Sequence, residues 1–254
     1  MTSNLFNLNR QRILITGSNG GIGLEIARGL AQHGASVILN GRNPEKLEAA
    51  AERLRDDGLE VETSRFDVTN ESEVDAAIAE LEAKGPIAGL VNNAGIQRRV
   101  RLESVTLEVW NEVLLTNLTS AMLVSRAVAK GMIAREHGKI VNICSLMSDL
   151  GRTTTGPYTA AKGGLKMLTR AMCADWAKHN LQVNAIGPGY FATEMTAPLV
   201  NDETFNSWVC SRTPAGRWGN PEELIGAAVF LCSSASNFVN GQILYVDGGM
   251  LAVL

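Results

Sequence analysis

Apolar residues in this chain gather into short continuous runs separated by longer stretches of helical spacing. The runs are Arg12 to Thr16 (RILIT), Ser36 to Asn40 (SVILN), Glu60 to Phe66 (EVETSRF), Gly89 to Asn92 (GLVN), Lys139 to Cys144 (KIVNIC), Leu181 to Ile186 (LQVNAI) and Ile243 to Gly248 (ILYVDG). They predict about seven strands. Between the first two, Ile22, Ile26, Leu30 and Ala31 recur at helical spacing, and Gly34 is a natural stop. Asn43 predicts an N-cap with Pro44 in the first turn. Asn70 and Glu73 stand at capping-box spacing before an amphipathic run. Longer helical patterns cover about Leu107 to Glu136 and about Tyr158 to His179.

Apolar strands alternating with helices imply a parallel sheet covered on both faces. The reading is an α/β chain, residues 1–254 forming a single doubly wound domain, with no linker or repeat dividing it. The stretch at about 190–220 breaks the rhythm, contains Pro198 and Pro214, and follows a strand end. A lid or binding loop is expected there.

Composition removes several function classes. A net charge of −3 and a pI of about 5.7 argue against general nucleic-acid binding. Cys144, Cys173, Cys210 and Cys232 are scattered without a C-x-x-C pair, and His33, His137 and His179 show no metal-ligand spacing, so no metal site is expected. No signal peptide and no membrane-length apolar run is visible, and a cytoplasmic protein is expected.

The stretch TGSNGGIG, Thr16 to Gly23, carries Gly17, Gly21 and Gly23 between a strand and a helix. Glycines let a backbone approach a pyrophosphate, and a helix N-terminus offers it free N–H groups. A dinucleotide fold often carries an acid after its second strand to bond the ribose 2′-hydroxyl. Here that strand ends Asn40-Gly41-Arg42. A guanidinium suits a 2′-phosphate, so NADP is expected over NAD. Asp67 follows the third strand and is read either as an adenine ligand or as a turn residue.

Tyr158 and Lys162 lie at i, i+4 on one helical face. A phenol is a weak base near neutral pH, and a neighbouring ammonium would favour its ionised form. Ser145 closes the strand IVNICS and could bond the same substrate oxygen. Gly17-Gly21-Gly23, NNAG (Asn92 to Gly95), Asn117, Ser145, YTAAK (Tyr158 to Lys162) and PGY (Pro188 to Tyr190) occur in order.

That succession strongly resembles the short-chain dehydrogenase/reductase family from about Arg10 to the C-terminus. The resemblance implies a Rossmann fold and a catalytic set of Asn117, Ser145, Tyr158 and Lys162. In it Tyr158 exchanges the alcohol proton, Ser145 holds the reacting oxygen, Lys162 lowers the tyrosine pKa and bonds the nicotinamide ribose, and Asn117 positions a water. It also implies cofactor contacts from Gly17, Asn19, Gly21, Ile22, Gly23, Arg42, Asp67, Val68, Asn93, Gly95, Tyr158, Lys162, Pro188, Gly189 and Thr193. Homotetramers are the usual assembly of the family.

Substrate follows from position. Ligands of open α/β sheets sit beyond the carboxyl ends of the strands. Gln97, Arg98 and Arg99 follow the fourth strand; Ser145, Met147, Ser148 and Arg152 follow the fifth. Arg98, Arg99, Ser145, Met147, Arg152 and Tyr158 are the candidate substrate residues, and a small polyhydroxy acid would use Arg for its carboxylate and Gln and Ser for its hydroxyls. Which arginine serves stays open, each being also readable as a surface charge. Trp208 and Trp218 are read as lid or interface packing. Stretches such as NICSLMSDLGR and PGYFATEM resemble the gluconate 5-dehydrogenase branch of the family, which implies a sugar-acid substrate. The alternative enzyme is a 3-oxoacyl-(acyl carrier protein) reductase. A non-catalytic dinucleotide sensor is the reading from another class, and the presence of both Tyr158 and Lys162 weighs against it.

Overall fold

The computed structural model describes residues 5–253. Seven parallel strands form one sheet: β1 (Arg12–Ile15), β2 (Ser36–Asn40), β3 (Val61–Ser64), β4 (Gly89–Asn92), β5 (Gly138–Ile143), β6 (Leu181–Pro188) and β7 (Ile243–Val246). Their order is β3-β2-β1-β4-β5-β6-β7. The chain runs outward from β1 to β3, then returns to pair β4 against the other side of β1. That reversal opens a crevice at the carboxyl ends of β1 and β4.

Alternation along each strand divides the core in two. Ile13 and Ile15 of β1 point to one face, where they meet α1 (Gly21–Gln32), α2 (Pro44–Asp56) and α9 (Ile225–Cys232). Leu14 points to the other, where α3 (Glu71–Lys84), α5 (Ser120–Ala134) and α6 (Gly156–Trp176) pack. Val37 and Leu39 of β2 share the first face and Ile38 the second. Strands buried on both sides explain why the apolar runs read as continuous.

Local signals mostly hold, with informative differences. Asn43 accepts from Lys46 N at 2.8 Å and caps α2. Asn70 accepts from Ser72 N and Glu73 N, but Glu73 accepts from Asp67 N and from the Asn70 side-chain amide, both at 2.9 Å, rather than from the Asn70 backbone N–H. The Asn70 N–H is already taken by Asp67 O. The third strand is shorter than the apolar run, because Phe66 turns into the core beyond its end. The seventh ends at Val246, since Gly248 and Gly249 turn with positive φ. The long helix expected from Leu107 runs on to Ala134 with one local widening. α4 (Leu107–Leu114) passes through a π-turn, Leu115–Thr119, into α5. Residues 190–220 hold two short helices, α7 (Ala197–Val200) and α8 (Glu203–Arg212).

Candidate active site

A cleft of about 1140 Å³ runs along the carboxyl ends of β1, β2, β4, β5 and β6. Its floor is the glycine loop. Gly17 has φ +61°, and a Cβ there would stand 2.9 Å from Ala94 Cα. A Cβ on Gly23 would stand 2.7 Å from Gly17 O. The loop is latched to the β4 turn from both sides. Thr16 Oγ1 accepts from Asn93 N and Ala94 N, while Asn93 Nδ2 donates to Thr16 O and Gly17 O, all at 2.9–3.1 Å. The first turn of α1 has no side-chain cap and no acidic residue, so its N–H groups face the cleft unspent. A bare-backbone cradle against an uncapped helix start fits a dinucleotide pyrophosphate.

Asn40 closes β2 as a buried bridge. It accepts from Gly17 N at 3.2 Å and donates to Ser64 O and Phe66 O. Beyond it, Arg42 reaches Asp67, Nη1 to Oδ2 3.4 Å, with most of its side chain in solvent. Burial pushes the Asp67 carboxyl up, but bonds from Thr69 and the Arg42 charge outweigh that and hold it below the usual range. The two residues expected at the adenosine end thus share one wall.

At the other end, Asn117 sits in the π-turn, fully buried. Its Nδ2 donates to Ile96 O and Val113 O at 2.9 Å, and its Oδ1 accepts from Ile96 N at 3.2 Å. Both amide hydrogens are therefore committed to protein, and the side chain clamps the loop that follows NNAG. Ser145 Oγ accepts from Met147 N at 3.2 Å, which leaves its own proton free to turn toward the neighbouring Tyr158 hydroxyl. Lys162 is buried, donates to Ile143 O at 2.6 Å, and stands 5.6 Å from the Tyr158 ring centre. Burial brings the lysine down to about 8. Burial raises the Tyr158 phenol above its ordinary value despite the Ser145 hydroxyl. Lys162 contributes no lowering of that phenol in the protein alone, where burial is the largest influence and the Ser145 hydroxyl opposes it.

The arginines separate. Arg98 turns away and makes a two-pronged pair with Glu112 at 2.7 and 2.9 Å on the surface. It is not among the residues that line the cleft, whereas its neighbours Gln97 and Arg99 are. Arg99 and Arg152 both line the cleft with Met147. Neither has a carboxylate partner among the described residues. Burial and the nearby Arg152 charge both lower Arg99. Arg152 donates to the Tyr190 hydroxyl at 3.1 Å and lies 4.4 Å over the Phe205 ring.

These residues meet a known pattern. Residues 17–251 match the family described as enoyl-(acyl carrier protein) reductase. The chain is 53% identical over 253 residues to 5-keto-D-gluconate 5-reductase of Escherichia coli, covering 99% of this chain and 100% of that protein. It is 53% identical over 251 residues to gluconate 5-dehydrogenase of Gluconobacter oxydans, covering 98% of each. A gluconate 5-dehydrogenase from Burkholderia cenocepacia, solved with NADP and tartrate, superposes with a TM-score of 0.96 at 52% identity, covering 99% of each chain. The chain belongs to the short-chain dehydrogenase/reductase family.

Within that family frame, the expected cofactor residues Gly17, Asn19, Gly21, Ile22, Gly23, Arg42, Asp67, Val68, Asn93, Gly95, Pro188, Gly189 and Thr193 all line the one cleft, as do Asn117, Ser145, Tyr158 and Lys162. Thr16, Asn40 and Tyr190 also shape the site without having been singled out for it. Asn40 carried a signal, a polar residue closing an apolar strand. Thr16 and Tyr190 stood inside TGSNGGIG and PGY, but their partners lie far along the chain. The described residues hold no cluster of metal-ligating side chains and no helix long and apolar enough to cross a membrane.

Proposed function

We propose that this chain interconverts D-gluconate and 5-keto-D-gluconate with NADP(H). The observation that carries the reading is the pair of guanidiniums without a carboxylate partner, Arg99 and Arg152, in the same cleft as Ser145, Tyr158 and Lys162. A carboxylate between the arginines supplies the missing counter-charge. The names of the relatives 53% identical to this chain support the same substrate. Arg42 at the far end suits the 2′-phosphate, and the Burkholderia relative was solved with NADP.

When bound, the nicotinamide cofactor supplies or accepts the hydride. The protein moves the proton. A phenol raised by burial is protonated at neutral pH, so Tyr158 is set to donate to a ketone oxygen. Ser145 offers its free hydroxyl hydrogen to the same oxygen. The Lys162 ammonium spends one N–H on Ile143 O and keeps two for other partners. Asn117 holds the loop that brings Arg99 to the cleft. In oxidation the same groups act in reverse.

The segment at about 190–220 serves as a lid. Its Tyr190, Phe205, Trp208 and Trp218 rings pack together with centroids 5.5–6.2 Å apart, and Tyr190 and Phe205 hold Arg152. The two tryptophans pack in this cluster rather than stand alone. A cytoplasmic homotetramer is the assembly we infer from the family. Exposed Leu107 and Leu115 on one flank, and Met167 and Leu244 on another, are apolar surfaces that subunit contacts would cover.

The test compares NADPH oxidation with 5-keto-D-gluconate and with an acetoacetyl thioester. Turnover of the keto acid supports the proposal. Preference for the thioester would transfer the assignment to 3-oxoacyl reduction. NADPH binding without turnover on either would point to a sensor.

A further inference from the structure

Lys162 is held at both ends by the segment that carries Ser145. Its ammonium donates to Ile143 O at 2.6 Å, two residues before Ser145. Its backbone carbonyl accepts from Ser148 Oγ at 3.0 Å, three residues after. The same Ser148 hydroxyl accepts from Ser145 N at 3.3 Å, closing the turn in which Ser145 Oγ accepts from Met147 N. Ser148 thus uses its one proton on α6 and a lone pair on the Ser145 backbone. One hydroxyl thus joins the Ser145 backbone to the helix bearing Tyr158 and Lys162.

One helical turn further along α6, Lys166 pairs with Asp149, the next residue of the same turn. The other Asp149 oxygen accepts from the Tyr245 hydroxyl of β7. The Tyr245 ring occupies the space where a Cβ on Gly187 would fall, 2.4 Å away. The turn after β5 is therefore strapped to α6 at two successive levels on one helical face, Lys162 and Lys166 being four residues apart. The outer strap is tied to the sheet edge.

We propose that Ser148 is a positioning residue for Ser145 and Lys162, with Asp149 as its outer support. Neither needs to touch substrate. The inference rests on the catalytic reading of Ser145, Tyr158 and Lys162. A hydroxyl that must meet a substrate oxygen together with Tyr158 tolerates little displacement, and an error near 1 Å costs up to about a hundredfold in rate. Removing Ser148 Oγ frees the Ser145 N–H and the Lys162 carbonyl together and lets the turn drift from the helix.

The experiment uses the full-length protein and four variants: Ser148→Ala, Ser148→Thr, Asp149→Asn and Tyr158→Phe. Ser148→Ala is expected to lower kcat about 10- to 100-fold. Its NADPH dissociation constant, read by cofactor fluorescence, should stay within about twofold of wild type. Ser148→Thr keeps the hydroxyl and should restore kcat to within about threefold. Asp149→Asn should lie between wild type and Ser148→Ala. The pH profile of kcat for Ser148→Ala should shift, because the Ser145 hydroxyl beside Tyr158 is no longer fixed. Unchanged kcat and pH profile in Ser148→Ala, with Tyr158→Phe inactive, would overturn the positioning role and leave the catalytic reading intact. An active Tyr158→Phe would remove the catalytic reading and this inference with it. If Ser148→Ala does not fold, Ser148→Thr and Asp149→Asn decide, since wild-type kcat and pH profile in Asp149→Asn with an impaired Ser148→Thr would contradict the strap.

Discussion

Arg152 donates to the Tyr190 hydroxyl at 3.1 Å, a bond between the turn after β5 and the segment after β6. It fixes a guanidinium at the substrate end of the cleft without neutralising it. Arg152→Ala should raise KM for 5-keto-D-gluconate at least tenfold, about the value of a charge-assisted bond, while KM for NADPH barely moves. Equal KM values in steady-state kinetics of wild type and variant would remove the carboxylate clamp.

Arg98 supplies the internal control. It pairs with Glu112 in solvent, and an exposed pair contributes no more than about 1 kcal/mol. Arg98→Ala should leave both KM values within about twofold and shift Tm only slightly. A large rise in the keto-acid KM would show that the Arg98–Glu112 pair opens to admit substrate.

At the adenosine end, Arg42 should set the choice of cofactor. Arg42→Ala is expected to weaken NADP binding by about 10- to 100-fold and NAD binding by little, as lost charge-assisted bonds to a phosphate would. Calorimetric titration of both nucleotides reads the difference. Parallel losses would mean that Arg42 serves a part common to the two.

Gly17→Ala should be costly in two ways. The left-handed φ and the 2.9 Å approach to Ala94 Cα force the loop away from the NNAG turn. A loss of about 1–3 kcal/mol in denaturant unfolding is expected, typical of forced overpacking, together with weaker NADPH binding. Wild-type stability and affinity would show that the loop relaxes freely.

Lys139 offers a pH test away from the cleft. It is buried on β5, bonded to Asn237 and Ser236, and burial brings it down to about 8 from 10.5. Between those values the unfolded chain holds a proton that the folded chain has released. This group's contribution to stability therefore rises with pH across that window and is least favourable below about 8. Unfolding of wild type against Lys139→Met from pH 7 to 10 should show wild type gaining on the variant. A constant gap would contradict the depressed amine.

Much of this was legible in order along the chain. Apolar runs of strand length, helical spacing between them, Asn43 as a cap, and the glycines of TGSNGGIG depend on neighbours a few residues away. Local chemistry sufficed for them, and the ordered motifs carried the family. What the chain order could not carry was direction and partnership. Arg98 and Arg99 are adjacent, yet one pairs with Glu112 and the other lines the cleft, a division that no local pattern announces. Asn117 was legible as a motif residue, but its bonds to the Ile96 peptide come from a π-turn within a pattern that reads as one helix. The phenol of Tyr158 reads as lysine-activated from spacing alone, whereas burial decides the sign of its shift. Desolvation and long-range hydrogen bonds belong to the packed molecule, where residues far apart in the chain exclude the same water.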